Sequence, residues 1–249
     1  SSNSRNRLYK NTGNENFVSV DSGAIYGNTG LLSRGANWVD IDNDRDIDLF
    51  IANESGSVDY MYKNNGGGYF TSVTGIAPTT SGGISWSSSW GDYDNDGDLD
   101  LYVTNSENQK NFLFRNDGNF TFTRILNDPI VNENGYFACS GWGDYDNDGD
   151  LDMYVTQAYG PPNVPLANHL YKNLLVETGN PAFEKITDGE IVNDLGYSYG
   201  FAWADWDADG DLDLFTAKTF GENENNSAYL NNGNSNKWLI VKLSGANAT

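Results

Sequence analysis

The 249-residue chain carries 35 acidic and 14 basic side chains, a formal charge of −21, with one cysteine and one histidine. That balance opposes nucleic acid and anionic membrane surfaces. A single cysteine excludes an internal disulfide, and a single histidine excludes a two-histidine metal centre. The basic residues, from Arg5 to Lys242, are scattered rather than gathered into a phosphate-binding stripe. No run of about 18 apolar residues is present to cross a membrane, and residues 1–7 lack the apolar stretch of a signal peptide.

In chain order, Leu8-Tyr-Lys-Asn11 followed by Phe17-Val-Ser-Val20 reads as a pair of short strands, half of a repeat unit over residues 5–20. A full unit then begins. Trp38 stands two residues before the acidic loop Asp40, Asp42, Asp44, Asp46, Asp48, and the alternating strand Leu49-Phe-Ile-Ala52 follows. Met61-Tyr-Lys-Asn64 and Phe70-Thr-Ser-Val73 close it. The second unit repeats the order with Trp90, the loop Asp92, Asp94, Asp96, Asp98, Asp100, then Leu101–Thr104, Leu113–Asn116 and Phe120–Thr123. The third has Trp142, the loop Asp144, Asp146, Asp148, Asp150, Asp152, then Met153–Thr156, Leu170–Asn173 and Phe183–Ile186. The fourth has Trp203, the loop Asp205, Asp207, Asp209, Asp211, Asp213, then Leu214–Ala217 and a looser copy of the asparagine motif at Tyr229–Asn232.

Each unit therefore reads as four short strands of period-two alternation joined by tight turns, with no convincing amphipathic helix. Four-stranded units at such a spacing predict an all-β propeller of four-stranded antiparallel blades. The acidic loop falls between the first and second strand. The blades lie at about 33–76, 84–125, 136–188 and 197–235: four full repeats plus the N-terminal half repeat, with 236–249 left outside. The small residues Gly35, Ser87, Cys139 and Gly200, three before each tryptophan, suit innermost strands crowded around a channel. The third repeat carries extra length at 157–168 and at 174–181. Loops of that kind on a rigid repeat are a place for binding or a neutral surface insertion.

The four loops hold 20 of the 35 acidic residues, and four divalent ions would bring the charge from −21 to −13. At least four carboxylates in nine residues repel one another unless a cation sits among them. Hard oxygen donors at alternate positions with glycine at the sixth are what calcium requires. Positions one, three, five and nine would offer carboxylates and position seven its backbone carbonyl. An EF-hand would need Glu at position twelve, where this chain has Ile51, Val103, Val155 and Thr216. Magnesium, with its demand for octahedral geometry and several waters, fits less well. The first loop has Arg45 in the glycine position. A side chain at positive φ costs about 1 kcal/mol and the guanidinium adds a like charge, so of up to four calcium ions this one is expected to bind most weakly. The expected role of the ions is structural.

The unit W-x-D-x-D-x-D-G-D-x-D-L, followed by L-Y-x-N and F-x-x-V, resembles the FG-GAP-like (VCBS) repeat family over about residues 7–233. Among its members, secreted proteins of the cartilage acidic protein family look most alike. Asn236–Gly245 is similar to the opening of an ASPIC/UnbV segment, so the chain reads as part of a longer polypeptide. The resemblance implies an integrin-alpha-like propeller with calcium in the blade loops, and no single activity.

Enzymatic motifs are missing. His169 has no recognisable nucleophile partner, and neither a cysteine pair nor a glycine-rich phosphate loop occurs. A two-carboxylate hydrolase is left open by composition alone. The expectation is a non-catalytic, secreted or cell-surface module that adheres to an extracellular protein, or alternatively a lectin-like glycan binder or a scaffold subunit of a larger surface assembly. Neither nucleic acid nor membrane insertion is expected. The irregular tryptophans Trp86 and Trp206 are candidates for ligand stacking, with core or rim packing as the plainer account.

Overall fold

A computed structural model describes residues 6–26, 32–54, 56–158, 160–161, 164–219 and 225–236. The fold is an all-β propeller. The first blade orders its strands Leu32–Val39, Asp48–Glu54, Tyr60–Asn64 and Phe70–Val73, all antiparallel and paired in sequence order. The second uses Ser85–Gly91, Asp100–Asn105, Phe112–Asn116 and Phe122–Ile125. The third uses Phe137–Gly143, Asp152–Gln157, His169–Asn173 and Phe183–Ile186. In the fourth, three strands lie among the described residues: Ser198–Ala204, Asp213–Lys218 and Ser227–Tyr229. The pair Leu8–Gly13 and Asn16–Val20 forms the N-terminal half blade. The segment 237–249, and with it the expected ASPIC/UnbV resemblance, lies outside the described residues.

Two strand assignments shift in register. The pairing of Leu214 with Tyr229 matches that of Leu49 with Tyr62, so the last asparagine motif ends at Asn231, not Asn232. The fourth strand of the second blade starts at Phe122; Phe120 sits in the preceding turn with φ 57°. Four one-turn helices also appear among the described residues. Ala77–Thr80, Pro129–Asn132 and Glu190–Asn193 follow outer strands, and Leu175–Thr178 occupies the turn between the last two strands of the third blade. A single turn is too short to leave a 3.6-residue pattern in the sequence.

Innermost strands of successive blades lie against one another. A Cβ on Gly35 would stand 3.2 Å from the Trp86 carbonyl and 3.3 Å from the Ser87 Cα, which explains a small residue there. Each innermost strand carries a bulge beside this column, after Ser33, Ser85, Phe137 and Ser198. Cys139 is mostly buried in it, and burial pushes its thiol up, away from a reactive thiolate.

The core lies between blades rather than in one centre. Ile41, Phe50, Leu101 and Phe114 fill the first interface, with Trp90 edge-on to Phe50. Tyr93, Tyr102, Met153 and Tyr171 fill the second, with Trp142 stacked on Tyr93 at 6.0 Å. Tyr154, Leu170 and Leu214 fill the third, against Trp203. Each fully buried side chain of this size contributes about 1.5–3 kcal/mol, so the recurring tryptophan is a blade-to-blade packing residue. Trp38, with no inner strand before it among the described residues, is 51% exposed.

Candidate metal centres

Each acidic loop leaves the innermost strand and returns into the second strand, so position nine is already part of the sheet. Asp48, Asp100, Asp152 and Asp213 are fully buried. One oxygen of each accepts the N–H of position two: Ile41, Tyr93, Tyr145 and Trp206, at 3.0–3.1 Å. The other accepts the N–H of the asparagine on the third strand: Asn64, Asn116, Asn173 and Asn231, at 2.7–2.9 Å. Position one caps the turn. Asp40, Asp92, Asp144 and Asp205 each take the N–H of positions five and six, at 2.9–3.1 Å. Position six has positive φ in all four loops: Arg45 at 74°, Gly97 at 95°, Gly149 at 102° and Gly210 at 98°. Position four is left-handed too, with Asn43, Asn95, Asn147 and Ala208 at 56–63°.

This frame brings carboxylates together. Oxygens of positions one, three and nine fall within 4.8 Å of one another in the first, third and fourth loops: Asp40, Asp42 and Asp48; Asp144, Asp146 and Asp152; Asp205, Asp207 and Asp213. In the second loop the group is Asp92, Asp94 and Asp96. Position-three atoms test whether a cation fits. Oδ1 of Asp42, Asp94 and Asp146 is buried without a hydrogen-bond partner in each case. Stranding the same oxygen three times would cost several kcal/mol unless an ion uses it. Oxygen-only donors at this density suit a hard cation.

Position seven turns elsewhere. Asp98 accepts from Asn43 Nδ2 at 2.7 Å and Asp211 from Asn147 Nδ2 at 2.5 Å, each bond crossing between loops of neighbouring blades. Asp46 lies near Gly66, and Asp150 accepts the Val176 N–H. Position five is shared: Asp44, Asp96, Asp148 and Asp209 each accept the N–H of position seven, at 2.9–3.2 Å.

Electrostatics distinguish the loops. Burial pushes Asp100 and Asp152 up to about 8 and raises Asp48, Asp94 and Asp144 as well. A bound cation would reverse that direction. In the first loop Lys63 pairs with Asp42 and, at 2.8 Å, with Asp44, and its hydrogen bond lowers Asp44. In the third, Lys172 pairs with Asp146, with Asp148 at 3.1 Å and with Glu177 at 2.5 Å. Burial alone would lower the Lys172 ammonium, but these carboxylates outweigh it and raise it. The second loop has Arg115 at this place, turned to Asp117, and the fourth has Leu230.

The asparagine motif has a role that its sequence spacing did not disclose. Asn116 Nδ2 donates to the Leu99 carbonyl of its own loop and to the Ile41 carbonyl of the preceding one, at 3.1 and 2.9 Å. Asn173 does the same to Leu151 and Tyr93, and Asn231 to Leu212 and Tyr145. Each blade from the second to the fourth thus clamps the loop before it. Repetition of the asparagine was the available signal; that it reaches across blades emerges only from the packing.

The other candidates are structural in setting. Trp86 is partly buried, 6.4 Å from Tyr199 and beneath the Arg34 guanidinium at 4.7 Å, a group placed by the bulges of three innermost strands. Trp206 occupies position two of its loop, where Ile41 and Tyr93 are buried by the next blade; no described residue covers it and it is 47% exposed. His169 is buried, between Tyr171 at 3.0 Å and Gln157 at 3.2 Å, and burial followed by Lys185 pushes it down to about 4.

A propeller whose blades open on acidic loops defines a class of repeat protein, and part of the chain matches a family of that kind. The FG-GAP-like repeat family matches residues 40–103 and 92–155. Cartilage acidic protein 1 of Homo sapiens is 24% identical over 261 aligned positions, covering 95% of this chain and 38% of that protein. The Mus musculus protein of the same name is 26% identical, covering 78% of this chain and 30% of the relative. The chain spans about a third of the length of these curated relatives. Among solved structures, a lectin of Agrocybe aegerita that recognises non-reducing terminal N-acetylglucosamine superposes with a TM-score of 0.51, at 16% identity, over 89% of this chain and 56% of that one. Residues 40–155 therefore carry FG-GAP-like repeats, and the chain resembles cartilage acidic protein 1.

Proposed function

We propose that the chain is a calcium-braced binding module, working outside the cell or at its surface, in which the ions hold the blades and the surfaces between them meet a protein partner. The observation that carries the calcium reading is the unpartnered Oδ1 of Asp42, Asp94 and Asp146, the same atom in three loops. Positions one, three and nine would hold the ion, with position five in place of nine in the second loop. Bound calcium ties the start of the second strand to the end of the first, and it acts only on the folded state. Sites of modest affinity stay filled where calcium is about millimolar, as outside cells. The proposed role is non-catalytic adhesion.

The test is thermal unfolding with calcium and with a chelator. At a tenfold excess over Kd each ion adds about 1.4 kcal/mol, so four sites should lower the Tm by about 10 °C or more on chelation. An unchanged melt overturns the reading. A second reading, glycan binding, draws on the Trp86–Tyr199–Arg34 group. A glycan array separates the two: sugar binding lost in Trp86→Ala or Trp206→Ala supports a lectin, and co-purification with a stoichiometric protein partner supports adhesion or a scaffold role.

A further inference from the structure

One blade departs from the turn used by the others. Two residues after the clamping asparagine stand Gly66, Gly118 and Gly233, and the position-seven carboxylate packs against each. A Cβ there would lie 3.4, 3.2 and 2.0 Å from Oδ2 of Asp46, Asp98 and Asp211. In the third blade the equivalent residue is Leu175, which opens the helix Leu175–Thr178. That single turn gives the Val176 N–H to Asp150 Oδ2 at 2.9 Å and brings Glu177 to the loop.

Asp148, Asp150 and Glu177 now each place a carboxylate oxygen within 4.8 Å of the other two. Asp150 is only 1% exposed, and its Oδ1 has no hydrogen-bond partner. Lys172 serves Asp146, Asp148 and Glu177, but Asp150 is not among its ion-pair partners. One ammonium therefore serves three of the four carboxylates, and a buried carboxylate oxygen left without a donor or cation is costly.

We propose that Asp148, Asp150 and Glu177 bind a second divalent cation beside the one held by positions one, three and nine, so that the third blade carries two ions. Three carboxylates with no nitrogen or sulfur donor select a hard cation, calcium where it is abundant. Position seven contributes its side chain here, whereas the repeat pattern assigns it a backbone carbonyl. The inference extends the calcium reading and rests on it. Its origin is the short insertion at 174–181, which replaces a glycine turn with a helix bearing a ligand.

The experiment counts ions. Calcium is added to chelator-treated protein, and the stoichiometry is read by native mass spectrometry and titration calorimetry for the natural chain and for Glu177→Gln. Glu177 is 42% exposed, so the variant keeps its fold. The natural chain should take up one calcium more than Glu177→Gln, and Asp150→Asn should lose the same single ion. Should Asp150→Asn fail to fold, Glu177→Gln decides alone. Equal stoichiometry in the natural chain and Glu177→Gln overturns the second site and leaves the loop ions standing; the three carboxylates then belong to an ion-pair network around Lys172. A natural chain that takes up no calcium overturns both readings.

Discussion

The first and second blades share one backbone plan and solve its electrostatics differently. In the second, Gly97 takes the positive φ at position six, Arg115 turns away to Asp117, and Asp94 and Asp96 face Asp92 with no cation among them. In the first, Arg45 holds the strained position and Lys63 inserts between Asp42 and Asp44. A similar exchange occurs at the other end of the second strand. The second-strand N–H of Asn105 is met by Asn111, and that of Asn53 by Asp59, buried to 1% exposure. The lesson is that the repeat fixes where an acceptor must be, while each blade chooses how much charge to put there.

Four substitutions break or sharpen that contrast. Asn116 joins the two blades, so Asn116→Ala should cost most, about 3 kcal/mol in urea unfolding, because two buried carbonyls lose their donor. A loss under about 1 kcal/mol would mean the clamp contributes little beyond packing.

Asp59→Asn should make the first blade imitate the second. Burial holds the Asp59 carboxyl up to about 7. Between about pH 4 and pH 7 the folded chain keeps a proton that the unfolded chain has lost, so stability from this residue falls as pH rises through that window. Asparagine removes the slope and should stabilise by on the order of 2 kcal/mol at pH 8. The comparison is a pair of unfolding series at pH 4 and pH 8, and parallel pH profiles would contradict it.

Lys63→Met removes the ammonium that competes for the first loop. Calcium affinity there should rise about tenfold, since one charge beside the ion is worth about 1.4 kcal/mol even when well screened. Calorimetry of the variant would show the weakest site joining the others; unchanged affinity would assign the weakness to Arg45 alone. Arg45→Gly relieves a left-handed side chain and should stabilise the chain by about 1 kcal/mol, read as a small rise in Tm with chelator present.

Much of this architecture was legible in the residues because two signals recur in register: carboxylates at alternate positions and a tryptophan two places earlier. Both report local geometry, a tight loop and a buried strand end. What escaped depends on partners distant in sequence. Asn231 and Asn232 are equal candidates by composition, and only pairing with the second strand selects Asn231. Phe120 and Phe122 share the same parity, and the backbone left-handed at Phe120 decides where the strand begins. Lys63 and Lys172 read as ordinary strand lysines until the loops fold against them. Trp206 is an irregular tryptophan in the sequence, yet its exposure reflects only that no described residue packs over position two of the fourth loop.

The inter-blade clamps all point the same way. Asn116, Asn173 and Asn231 each donate to a carbonyl that lies 75, 80 and 86 residues earlier in the chain. Every blade after the first therefore finds the acceptor for its clamping asparagine in polypeptide that the ribosome has already released, whereas the loop residues Asn43 and Asn147 donate forward to the next blade. The clamp carries an arrow, and it runs with the direction of synthesis.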